Sequence, residues 1–394
     1  MRKRLILVAA VLVSATCAWS PPAQAQSVAA GLGSLLTDHQ SPPPQGYVPD
    51  SAAALATFQT VAGLFQVELT SLPVVSSSGG FVYRFNPAFG TVERASDSFG
   101  PFFSERALRN GRGHLSVSLA YDYANFTTLQ GADLKPGTFP TNNARFADAV
   151  QPFSVDTLSL RLEKETFTGF ASYGVTDELD VGVVVPVTRL RFSGRRVNTF
   201  FEDSTLQSQQ SGSTTGLGDV AVNARYRLMG TRGAGLAAGI DARFPTGRDE
   251  DLLGAGKMTW RFTGIASWER GPIAVHANAG AGLGGVSDEQ FWAGAVTVAL
   301  SPRLSVVGEL LGRRLDDLYK VADVYGPHPV LAGVETMRWL PADAGIHTAF
   351  LVTGFKWNVG GNWLLNMHVL SRLTDPGLKS RFTPAVAIDY ALGF

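Results

Sequence analysis

From about residue 113 to its end, the chain alternates apolar and polar positions at period two, the mark of β-strands with two unlike faces. Leu115, Val117, Leu119, Tyr121 and Tyr123 oppose Ser116, Ser118, Ala120 and Asp122. Val220, Val222, Ala224, Tyr226 and Leu228 oppose Asp219, Ala221, Asn223, Arg225 and Arg227. The same reading holds at 236–244 and 272–283. The pattern predicts strands at 113–125, 155–175, 179–192, 215–228, 235–246, 258–269, 272–283, 290–300, 303–315, 346–357, 362–372 and 380–394.

The connections between these strands alternate in length. Segments 126–154, 193–214, 247–257 and 316–345, with the shorter 284–289 and 373–379, fall on one side. Tight turns at 176–178, 229–234, 270–271, 301–302 and 359–361 fall on the other. Short periplasmic turns and long external loops are the habit of outer-membrane barrels, whereas a sandwich needs crossovers. The expected fold is therefore all-β, a transmembrane antiparallel barrel of about 12 strands. Aromatic residues gather at both strand ends, as amphipathic rings do at two membrane–water interfaces. Tyr173, Tyr226, Trp268, Trp357, Trp363, Tyr390 and Phe394 mark one end; Tyr121, Tyr123, Phe192, Phe244, Trp260 and Trp292 mark the other. In the last strand Val386, Ile388, Tyr390, Leu392 and Phe394 share a face and end the chain on an aromatic, resembling the signal read by the outer-membrane assembly machinery.

Two strands break the pattern. In 155–175 the apolar phase passes from Leu158, Leu160 and Leu162 to Tyr173 and Val175, which suggests a bulge near Lys164 or a hidden pair of strands. Pro186 interrupts Val181, Val183, Val185 and Val187 and is expected to mark a bulge or an end.

Residues 26–112 read differently. Pro42-Pro43-Pro44 is an extended linker, and Asp50-Ser51 caps a predicted helix through Gln66 with Leu55, Phe58, Ala62 and Phe65 on one face. Residues 81–85 and 91–94 form a predicted hairpin around 86–90. Three outcomes are open for this segment: a plug in the lumen, a periplasmic tail, or two further wall strands, giving 14. The domains are then 1–25, a signal peptide; 26–112, the plug-like segment; and 113–394, the barrel.

The signal reading rests on Arg2, Lys3 and Arg4, an apolar core from Leu5 to Val13, and Ala23-Gln24-Ala25, with cleavage after Ala25. The only cysteine, Cys17, lies within it, so disulfides and cysteine-bound metal are not expected in the mature chain. Charged residues make up 17% and the formal net charge is zero, which argues against nucleic acid as a partner. The expected location is the outer membrane of a Gram-negative bacterium, with its lipid and lipopolysaccharide, the assembly machinery and a small-molecule solute as partners.

Several strings are similar to a known family: Phe99-Gly100-Pro101-Phe102-Phe103-Ser104-Glu105-Arg106-Ala107, Tyr173-Gly174-Val175-Thr176-Asp177, Gly216-Leu217-Gly218-Asp219, and Phe244-Pro245-Thr246-Gly247 followed by Asp251-Leu252-Leu253-Gly254. Over about 100–394 the chain resembles the outer-membrane transporter family associated with the meta-pathway of phenol degradation. That resemblance implies an outer-membrane barrel akin in role to the fatty-acid and aromatic-hydrocarbon channels.

Candidate chemistry is sparse. Gly280-x-Gly282-x-x-Gly285 lacks the helix a dinucleotide needs and reads as a strand end and tight loop. The acidic runs 249–251 and 316–317 suit a hard cation or lipopolysaccharide bridging, but exposed acidic loops are more often simply solvated. His276 and His368 are placed in the lumen without the spacing of a metal pair. No cofactor, metal or enzymatic role is expected. Asp219, Arg225, Arg227, Asp241, Arg243, Arg261, Glu309, Arg313, Lys356, Arg372 and Asp389, together with Asp122, are the candidate lumen-lining groups. The expected function is passive passage of small molecules, hydrophobic or aromatic ones among them. The rival is a structural barrel with a closed lumen and partner-binding external loops.

Overall fold

The computed structural model describes residues 27–41, 48–70, 80–86, 91–230 and 233–393. The signal peptide with its cleavage site, Pro42–Pro44, the hairpin turn 87–90 and Phe394 lie outside the described residues.

Two helices come first, α1 (Val28–Thr37) and α2 (Ser51–Thr70). Strands follow in chain order as β1 (Tyr83–Asn86), β2 (Thr91–Arg94), β3 (His114–Leu129), β4 (Ala132–Asp133), β5 (Phe139–Phe146), β6 (Ser154–Gly174) and β7 (Leu179–Phe200). Next are β8 (Asp203–Leu217), β9 (Ala221–Gly230), β10 (Ala234–Arg243), β11 (Thr259–Arg270), β12 (Ile273–Gly284) and β13 (Glu289–Ser301). The last are β14 (Leu304–Pro327), β15 (Val334–Gly360), β16 (Trp363–Arg372), β17 (Leu378–Ser380) and β18 (Phe382–Gly393).

The wall runs β3–β6–β7–β9–β10–β11–β12–β13–β14–β15–β16–β18 and closes on β3, every pair antiparallel. That is a closed ring of twelve, and β1 pairs only with β2, so the alternative of 14 wall strands fails. Closure leaves no free edge in the membrane-spanning part, which lipid would not tolerate. The outer face carries exposed large apolar side chains all round, among them Leu119, Val222, Leu236, Phe262, Val296, Leu351 and Ile388. A continuous band of this kind would aggregate in water; it faces hydrocarbon.

Most predicted long loops are strands. β14 and β15 have 24 and 27 residues against 10 each in β9 and β10, so at about 3.4 Å per residue they are roughly 50–60 Å longer along the strand than that short pair. Beyond the ring, β8, β7, β6, β5, β15 and β14 pair in that order as a second wall. The strand predicted from 215 is two elements: β8 ends at Leu217 and β9 starts at Ala221. The polar Ser, Thr and Gln of β8 have no apolar alternation, and hence no signal of a strand.

Neither expected bulge forms. β6 is one strand in unbroken register with β3 and β7. Its even positions face inward throughout; what changes is the surroundings. Leu158, Leu160 and Leu162 are buried against the helices beyond the membrane, whereas the outward Phe167 and Tyr173 are exposed nearer the tight turns. Pro186 sits where β7 changes neighbour, after Val184 pairs with β9 and before Val187 pairs with β8, so its missing N–H breaks no ladder bond. Phe192, expected in an aromatic belt, points inward into the helix-packing core.

Candidate functional site

The helices lie inside the end of the barrel that carries the long hairpins. Val28, Leu32, Leu35 and Leu36 of α1 and Val61, Leu64, Phe65, Val67 and Leu69 of α2 form one core with Phe126, Leu162, Phe192, Leu315 and Trp339 of the wall. Asp50 caps α2 as predicted, accepting from Ala53 N at 3.0 Å, but the helix continues to Thr70 and its Leu55 is exposed. With 20 apolar-rich residues α2 is long enough to cross a membrane, yet it is housed within the barrel. Thr57 and Thr60, one turn apart, take the backbone N–H and C=O of Trp339 on the open edge of β15, at 3.1 and 2.9 Å.

Both helices aim their C-terminal carbonyls at wall cations, the groups that suit a helix C-terminus. At α1, the fully buried Arg196 donates to Asp38 O and pairs with Asp156 at 2.8 Å. His39, beside it, is pushed below its ordinary pKa by burial and by that guanidinium, and is neutral at pH 7. At α2, Lys164 of β6 donates to Leu69 O and Arg243 of β10 to Thr70 O. Glu68 pairs with Arg372 of β16 at 2.8 Å and with Arg313 of β14 at 3.6 Å. Four strands thus grip the last three residues of α2.

Nearer the tight turns, residues 98–110 cross the lumen as a strap. Glu309 of β14 accepts from the backbone N–H groups of Phe102, Phe103 and Ser104 and from the Ser104 hydroxyl. Lys356 donates to Pro101 O at 2.7 Å, and Asn278 exchanges two bonds with the Glu105 backbone, at 2.6 and 2.9 Å. Arg225 reaches Glu105 at 3.4 Å and Asp241 at 2.8 Å, and Ser267 accepts from Ala107 N at 2.8 Å. Asp180 accepts from Asn110 N at 3.0 Å and lies 3.9 Å from Arg109. The 99–107 string is legible in these partners: its backbone is solvated by the wall.

Of the other predicted lumen groups, Asp389 accepts from Ser118 at 2.6 Å and from Asn366 at 2.9 Å. Arg261 lies 3.6 Å from Glu289 and over the Phe291 ring. Arg227 pairs with Glu178 at 3.4 Å near the turns. Asp219 ties two motifs together, accepting from Gly247 N at 3.1 Å and Ala255 N at 2.8 Å, while Thr246 donates to Gly218 O at 2.8 Å. The acidic runs are divided among local partners: Asp251 pairs with Arg248 and Asp316 with Arg314. Gly284 and Gly285 form a tight turn with φ of 85° and 71°. Val386 and Ile388 of the expected assembly face point outward and are exposed, with Tyr390 and Leu392 half-buried.

Glu68, Asp156, Lys164, Asp180 and Arg196 escaped the sequence reading. Extending the even inward phase of Leu158–Leu162 and of Leu190–Phe192 along each strand would have found the four on the wall. Only α2's position reveals Glu68.

Three adjoining cavities lie in the lumen, two of them against the end of α2 and the third beside the strap. The largest holds about 910 Å³ of empty space, solvent-open parts included, between Leu69 and Thr70, the strap residue Phe103, and walls from β3, β6, β7, β16 and β18. The others, about 750 and 610 Å³, share Thr70, Arg243 and Arg261, or Phe103, with their neighbours.

No curated protein matches the chain. Solved structures similar to it include the COG4313 outer membrane channel from Pseudomonas putida F1, at 13% identity over 73% of this chain and 98% of that one, with a TM-score of 0.45. The P. putida toluene transporter TodX matches at 9% identity over 72% and 90%, TM-score 0.32. The CymD monoaromatic hydrocarbon channel matches at 11% over 72% and 89%, TM-score 0.27. Residues 141–317, which hold three of the four motifs, match the family model described as "Putative MetA-pathway of phenol degradation", the same family that the motifs resemble.

Proposed function

We propose that this protein is an outer-membrane channel for passive passage of small, largely apolar solutes, aromatic ones among them, with residues 26–112 as its plug. The observation that carries the reading is a closed ring with an apolar outer band around a lumen that still holds adjoining cavities beside the plug. In this reading the signal is cut after Ala25, the tight turns face the periplasm, and the long hairpins stand among lipopolysaccharide. The plug is tethered to β3, so its docking is intramolecular and inexpensive in entropy.

Planar-bilayer recording tests it. The full mature chain should conduct weakly, and removal of 27–98 should raise conductance several-fold while the barrel stays heat-modifiable. Equal conductance in both would instead favour a structural barrel. Val386–Phe394 is proposed as the assembly signal, and deleting Phe394 should lower the yield of folded barrel in outer membranes without altering the conductance of what assembles. Wild-type yield would remove that role.

A further inference from the structure

The largest cavity contains polar groups that neither the plug nor the wall uses. His368 of β16 is buried and lines it, with its ring 4.3 Å from that of Phe102 and 5.2 Å, edge-on, from that of Phe103. Among the described residues neither of its ring nitrogens has a hydrogen-bond partner. Across the cavity Thr166 and Asp122 stand opposite each other in the β3–β6 ladder, the Thr166 hydroxyl beside the Asp122 carboxylate, and Asp122 Oδ1 lines the cavity with no further partner. Buried donors and acceptors are costly to leave unmade, so a cavity that presents several at once favours an occupant able to meet them. The rest of the lining is largely apolar: Leu69, Phe103, Val184 and Leu370, with the small Ala120 and Ala385.

These features limit the occupant. A neutral imidazole offers one donor and one acceptor, a threonine hydroxyl offers both, and a carboxylate only accepts. The occupant's polar end must therefore both donate and accept. Its charge must be close to zero, because Lys164 and Arg243 in the lining are balanced by Asp122 and Asp219 and already engage the end of α2. A hydrocarbon would leave the polar atoms unmet, and an organic anion would meet two carboxylates. We infer that this cavity is a binding station for an uncharged amphiphile, a compact apolar body bearing a hydroxyl or primary amide. The inference rests on the channel reading and names its solute class.

The test compares three probes of one shape, cyclohexylmethanol, methylcyclohexane and cyclohexanecarboxylate. Binding to the full mature chain in detergent is measured by saturation-transfer NMR, with empty micelles as the blank. The alcohol should bind in preference to both others. His368→Leu combined with Thr166→Val should weaken the alcohol about five- to tenfold, the loss of a hydrogen bond or so, while leaving methylcyclohexane unchanged or improved. Ala385→Leu, which fills the cavity and keeps every polar group, should weaken all binding there. Equal binding of the three probes, preference for the carboxylate, or an unaffected double variant in heat-modifiable form would overturn the station. The two readings fail separately: a barrel that conducts once 27–98 is removed but shows no alcohol preference loses only the station. One that binds the alcohol and never conducts loses only the channel.

Discussion

At the scale of single residues, the lumen is a set of charges placed to meet a backbone. Glu309 is the clearest case, since a strap without regular structure needs partners for its N–H groups wherever water is excluded. One carboxylate serves three successive amides and a hydroxyl. Glu309→Ala strands those amides at roughly 1–3 kcal/mol each, enough to detach the strap locally and too local to unfold the ring. Hydrogen exchange should then accelerate sharply across 99–107 with β11–β13 still protected. Unchanged protection of the strap would mean that Lys356 and Asn278 hold it unaided. Gly174 makes a second residue-scale point: a Cβ there would come within 2.0 Å of Gly111 O, so the strap reaches β3 only by passing over a glycine.

Among the elements, α2 shows how the lumen holds a helix. Its apolar faces fill the mouth, but its depth is set at the C-terminal turn, where Lys164, Arg243, Arg313 and Arg372 converge. Removing one partner from a buried ion cluster is strongly destabilising, about 3–5 kcal/mol, because the remaining charges stay buried. Glu68→Gln should therefore release the helix end. Single-channel traces of the variant are expected to show frequent openings absent from the wild type, with an unchanged barrel melting transition. Silent traces would show that the apolar core alone keeps the helix seated.

For the whole molecule, the asymmetry between a short-turn end and a tall hairpin end gives an orientation that labelling can check. Asp323 is exposed on the tall hairpin and Asn362 in a tight turn. The only native cysteine, Cys17, lies in the proposed signal, so single cysteines can be introduced without background. On intact cells Asp323→Cys should react with an impermeant thiol reagent and Asn362→Cys should not. The opposite pattern would invert the barrel.

The ring was readable from the chain because lipid on one side and a polar lumen on the other impose strict alternation, and that physics is local to each strand. Strand number and the outward faces of β9–β13, β16 and β18 followed from period two together with the alternation of tight turns and long connections. Beyond the membrane the rule lapses. β8 and the upper parts of β14 and β15 face water or the helices, so their residues carry no fixed alternation and read as loops. The same change of surroundings turned the apolar phase of β6 inside out and sent Phe192 to the core instead of the belt. Candidate wall charges could be listed from phase, but many of their partners, Glu68 and Glu105 among them, belong to residues 50–110, which carry no period-two pattern. Only the tertiary structure, by threading that segment through the ring, decided which charges clamp a helix, which hold a strap, and which line a space left for something else.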